Sequence, residues 1–94
     1  MGVARNSGGF DLNTYTVEFF AFCPVNNVRI KYELLISTCE VIKAEDIIDE
    51  VTLHSRGFHE DIADQLLKVF GGQQWLKAEH HGVHIETHRS TGQG

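Results

Sequence analysis

No stretch of this sequence approaches the roughly 18 consecutive apolar residues that a membrane-spanning helix needs, which excludes helical membrane insertion. Cations are also scarce: 8 Lys+Arg stand against 13 Asp+Glu, a formal net charge of -5. A broad basic face that grips nucleic acid regardless of sequence is hard to build from so few, although a tRNA held by a handful of contacts stays open. The two cysteines, Cys23 and Cys39, are too few for a disulfide framework. Met1–Gly9 is polar and Gly-rich and lacks the apolar segment of a signal peptide, so both thiols are expected to be reduced in a cytoplasmic protein. Also missing are internal repeats, low-complexity linkers, a Ser-His-Asp arrangement, a Gly-rich phosphate loop ahead of a helix, and a paired-carboxylate motif.

What is present fits one small domain. The 94 residues are 41% hydrophobic and 22% charged, ordinary for a globular chain. A chain this short buries only about 60–65% of its unfolded surface and gains from further burial in an oligomer. Residues 1–12 read as a flexible arm, 13–89 as the domain, and 90–94 as a polar tail.

Thr14–Cys23 is rich in β-branched and aromatic residues and predicts a strand. Tyr15, Val17, Phe19 and Ala21 share one face; Thr16, Glu18, Phe20 and Phe22 share the other, whose apolar far end is expected to be covered. Pro24 ends the strand and Asn26-Asn27 marks a turn. Val28–Ser37 alternates, with Val28, Ile30, Tyr32, Leu34 and Ile36 opposite Arg29, Lys31 and Glu33, so it predicts the second arm of a hairpin.

The period then changes. Ala44, Ile47, Ile48 and Val51 recur at helical spacing against an acidic back. A second helix is expected from about Phe58 to Phe70, with Phe58, Ile62, Leu66 and Val69–Phe70 inward and Gly71-Gly72 as its stop. Gln74–His80 and Val83–Arg89 flank His81-Gly82, a tight-turn pair. The expected architecture is a two-layer α+β fold, ββααββ, with a four-stranded antiparallel sheet and both helices on one face.

Three constellations could carry chemistry. Cys23-Pro24 closes a strand; its thiol becomes a nucleophile only beside positive charge or a base, and is otherwise a small buried apolar group. Gly57-Phe58-His59-Glu60-Asp61 opens a helix. His59 can titrate near neutral pH and Glu60 can accept a planar pair of N–H donors, while the plainer reading is acids placed at the positive end of the helix dipole. His80, His81, His84 and His88 form the third group, with Glu79 and Glu86. His84 and His88 lie roughly 13 Å apart along an extended strand, too far for one ion. No metal is expected; were zinc bound, His80 and His84 would be its candidate ligands, and a solvated sheet face is the plainer reading.

The element order and two of these motifs resemble the tunnelling-fold (T-fold) superfamily, whose members bind purines or pterins at subunit interfaces and join sheets edge to edge into barrels. Within it, Phe22-Cys23-Pro24 and Phe58-His59-Glu60-Asp61, continued by Ile62–Leu66, are similar to the nitrile reductases that act on 7-cyano-7-deazaguanine. The closing strands, with Glu79-His80-His81, are similar to GTP cyclohydrolase I, whose zinc-binding segment ahead of the second strand is absent here. The resemblance spans Thr14 to Arg89 and implies roles for three residues. Cys23 would attack the nitrile carbon to give a thioimide, His59 would handle protons, and Glu60 would anchor the base through two parallel hydrogen bonds.

Two features depart from the reductases. No Asp stands in the turn after Cys-Pro, so the proton donor of the reductases is missing, and Glu45 stands where the cofactor motif has its second Lys, so NADPH is not expected. The resemblance thus implies a homo-oligomer binding a purine, 7-deazapurine or pterin, with amidine-forming rather than reductive chemistry on a nitrile. The alternative is a non-enzymatic α+β oligomeric interaction module with no small-molecule chemistry.

Overall fold

In the computed structural model, residues 12–91 are described. Most of the expected N-terminal arm and the end of the polar tail lie outside them. The elements are β1 (Asn13–Phe22), β2 (Arg29–Thr38), α1 (Ala44–Leu53), α2 (His59–Phe70), β3 (Gln73–His80) and β4 (Val83–Ser90). All neighbours pair antiparallel in the order β1-β2-β3-β4, so β1 and β4 are the edges and the two helices connect the central strands. This is the ββααββ, α+β architecture that the periodicities predict. No helix among the described residues is long and apolar enough to cross a membrane.

Register puts the alternating residues onto common faces. Phe19 pairs with Tyr32, Tyr32 with Ala78, and Ala78 with Ile85, a row running from edge to edge on the helix side. Phe19 and Tyr32 stack with ring centroids 5.1 Å apart. From above, α1 contributes Ile47 and Val51, and α2 contributes Ile62, Ala63 and Leu66. Helix α1 packs on β1, whereas α2 packs on β3 and β4.

The helices bury a narrower stripe than their sequences suggest. Phe58, Ile48 and Val69 were expected inward and are each about half exposed. Two helices of 10 and 12 residues touch the sheet along one line each, so the flanks of their apolar faces stay in solvent. The far end of β1 is likewise only lightly covered. Phe20 lies under the Arg29 guanidinium at 3.9 Å and Phe22 near that of Arg56 at 5.7 Å, and both rings keep more than a third of their surface.

Gln74 is a buried polar residue that the alternation alone marks only as inward-facing. Its side-chain amide donates to the carbonyls of Leu66 (3.1 Å) and Gly71 (2.8 Å), which satisfies the open C-terminal end of α2. Gly72 (φ +72°) follows, passing so close to β2 that a Cβ would sit 2.8 Å from the Ser37 carbonyl oxygen.

Candidate functional site

The end of β1 is fixed from two sides. The Cys23 N–H donates to the Val28 carbonyl (2.9 Å), and the Cys23 carbonyl accepts from Asn27 N–H (2.8 Å), closing the turn after Pro24. Asn27 takes a left-handed φ of 60°, and Asn26 Oδ1 accepts from the Val28 N–H at 3.2 Å. The Arg56 guanidinium donates to Asn27 Oδ1.

On the other side, the link between the helices lies along the edge of β1. Phe22 N–H donates to the Ser55 carbonyl (2.8 Å), and Gly57 N–H donates to the Phe22 carbonyl (3.3 Å). This short parallel bridge between Phe22 and Arg56 delivers the start of α2 beside the cysteine. Two motifs 36 residues apart in sequence (59 − 23) therefore meet.

They meet in a cavity of about 360 Å³. Its polar lining includes Cys23, Asn26, Tyr32, His59 and His80, and its apolar lining includes Val25, Ile30, Phe58, Ala78 and Ile85. Cys23 is buried at 8% exposure, and Tyr32 beneath it at 1%. Burial pushes the Tyr32 hydroxyl up, and a Cys23 thiolate would add to that.

His59 sits between the Tyr32 ring (5.6 Å) and Thr87, whose Oγ1 is 2.8 Å from Nε2. Its Nδ1 is buried without a hydrogen-bond partner among the described residues, as is Nε2 of His80. Burial holds His59 below the usual imidazole range, against the pull of Glu60; Arg89 pushes it further down, and the Leu76 backbone opposes that. His59 is thus held toward its neutral form near pH 7.

This state couples to stability. A folded pKa below the unfolded imidazole value, near 6.5, means that the unfolded chain takes up the proton first. The contribution of neutral His59 is fully present above that value and is lost as pH falls through the window beneath it. Urea titrations between pH 7.5 and 5 are expected to show a falling midpoint, with a slope that His59→Asn reduces. An equal slope in the variant would assign the acid sensitivity to other groups.

The remaining sequence candidates lie elsewhere. Glu60 is exposed in the first turn of α2 and does not line the cavity. His84 is exposed and shares its β4 face with Glu86 and His88, away from the helices, while His80 lines the cavity on the helix side. The two candidate zinc ligands are therefore on opposite faces of the sheet. Among the described residues no group of three or more His, Cys, Asp or Glu side chains is gathered as a metal cage. His88 instead stacks on Trp75 at 4.8 Å. Tyr32 and His80 are the cavity groups whose place there the motifs do not announce, although each alternates onto the inner face of its strand.

No protein-family model matches the chain, and no curated protein matches it. Among solved structures, the apo form of the archaeosine synthase QueF-Like superposes with a TM-score of 0.73 at 22% sequence identity, covering 88% of this chain and 96% of that one. At this identity the likeness concerns the fold alone, the ββααββ arrangement described above.

Proposed function

We propose that this chain binds a purine-like nitrile, of the 7-cyano-7-deazaguanine type, at the Cys23 cavity and captures it covalently. The observation that carries this reading is the meeting of Cys23, just past the end of β1, and His59, at the start of α2, in one cavity that holds two imidazole nitrogens without a hydrogen-bond partner among the described residues. The Cys23 sulfur adds to the nitrile carbon, one C≡N π bond breaks, the sulfur gives up its proton and the nitrile nitrogen gains one. An amine donor then attacks the thioimide carbon: a C–N bond forms, the C–S bond breaks, and the amine's proton returns to Cys23. The product is an amidine. The structural likeness to an archaeosine synthase supports a place in 7-deazapurine chemistry.

Reduction by NADPH fits less well. The first turn of α1, where the reductases carry their cationic cofactor motif, holds Glu45 and Asp46, and their charge opposes a dinucleotide phosphate.

The cavity also points to assembly. Val25, Phe58 and Val83 are exposed apolar residues, of which Val25 and Phe58 line the cavity, and among the described residues β4 leaves an unpaired edge beside it. A second subunit covering these residues would bring further groups to the exposed Glu60. One observation favours an interaction module instead: in the single chain Cys23 is buried while Glu60 faces solvent.

Native mass spectrometry with and without 7-cyano-7-deazaguanine separates the two. A multimer that gains one covalent ligand per subunit is the expected result. A multimer without an adduct, binding no purine or pterin, would favour the interaction module, and a monomer at micromolar concentration would overturn the interfacial site.

A further inference from the structure

When the Cys23 thiol adds to a nitrile, a proton must leave Sγ and another must reach the nitrile nitrogen. The reductases that the motifs resemble have an Asp after Cys-Pro, and this chain has none. The turn in its place cannot supply a proton. Val25 is apolar, Asn26 Oδ1 accepts from the Val28 N–H, and Asn27 Oδ1 accepts from Arg56.

The titratable groups lining the cavity are Cys23, Tyr32, His59 and His80. Tyr32 is almost fully buried, and burial pushes its hydroxyl further up, so it is a poor donor near neutrality. His59 engages Thr87 through Nε2. His80 is left. It is the last residue of β3, its ring stacked on that of His81 at 4.4 Å in the turn before β4. Its Nε2 is buried with no hydrogen-bond partner among the described residues. Such an atom is unfavourable unless something polar reaches it, and a ligand atom in the cavity would do so.

We propose that His80 delivers the proton to the nitrile nitrogen, in the role that a carboxylic acid would otherwise fill; this rests on the nitrile reading above. In the step, the Sγ–C bond forms and one C≡N π bond breaks. His59 accepts the thiol proton, and His80, protonated on both ring nitrogens, gives up its Nε2 proton. Exchange with solvent returns a proton to His80 and removes one from His59, so no oxidant or reductant is consumed. Around His80, the titratable groups are Cys23 from the turn after β1, Tyr32 from β2, His59 from α2 and His81 from the turn before β4.

The test uses the full chain carrying Cys39→Ser, so that Cys23 is its single thiol. The rate of covalent adduct formation with 7-cyano-7-deazaguanine is followed by intact-protein mass spectrometry, and non-covalent affinity is followed separately in Cys23→Ala. His80→Gln keeps a hydrogen-bonding group near Nε2 but cannot titrate. It is expected to slow the adduct about 100-fold or more, a far larger effect than any change in affinity in the Cys23→Ala background. His80→Asp is expected to restore the adduct with its pH–rate profile moved to lower pH.

An adduct at the parent rate in His80→Gln would overturn the assignment and leave the nitrile reading standing. No adduct in the parent would remove that reading and the assignment with it. Should His80→Gln not fold, the aspartate variant decides: a displaced pH profile supports His80 as the donor, and an unchanged one rejects it.

Discussion

Cys23→Ala is expected to abolish covalent capture of 7-cyano-7-deazaguanine completely while leaving the fold and non-covalent binding in place. Sulfur is the only atom at that position able to form the thioimide, so the loss is a matter of chemistry rather than degree. The fold should tolerate the change. Cys23 is buried at the end of β1, and the bonds that fix it there run through its backbone to Val28 and Asn27. The side chain contributes mainly a small apolar volume. Cys39 is the internal control: it is exposed and lies apart from the cavity, so Cys39→Ser should retain the adduct. An adduct that survives in Cys23→Ala and vanishes in Cys39→Ser would mean that the ligand merely alkylates an accessible thiol.

Leu66→Ala is expected to be the most damaging single truncation in the helix layer. Leu66 is 0% exposed and sits on the buried stripe of α2 between Ile62 and the end of the helix. Removing its isobutyl group costs about 2–5 kcal/mol, depending on how far the site collapses. A small domain holds only about 5–15 kcal/mol in total. The effect should also reach the cavity, because α2 carries His59 at its first position and Gln74 anchors its last turn through the Leu66 carbonyl. Chemical denaturation should therefore show a large fall in midpoint with an unchanged slope. Adduct formation should weaken at temperatures where the variant is still mostly folded. A loss below about 1 kcal/mol would mean that the α2–sheet contact is not what holds the layer together.

Much of this molecule is written in local pattern. Period-two alternation marks Ile30, Tyr32, Leu34 and Ile36 as one face of β2, and all four are buried. His81-Gly82 reads as a tight turn and adopts two successive positive φ values, 55° and 81°, as a type I′ hairpin requires. Gly71-Gly72 ends α2 where expected. The depth of each helix could not be read this way. Ile48, Phe58 and Val69 satisfy the apolar spacing and remain in solvent, because spacing says which residues share a side and not how wide a strip the sheet can cover.

The candidate site divides along the same line. Sequence by itself determined the element order, the inner faces of the strands, and the two motifs that place Cys23 and His59 at element ends. Only the tertiary structure decided that these ends adjoin. The Phe22–Arg56 bridge runs the helix link along β1, and the β1–β2–β3 register carries His80 to the same end of the sheet. It also decided that His80 and His84, four residues apart, serve opposite faces. The physical reason is that hydrogen-bond register and edge pairing are long-range choices. Each residue's local pattern fixes the face it takes, while its neighbours across the sheet are set by where distant strands come to rest.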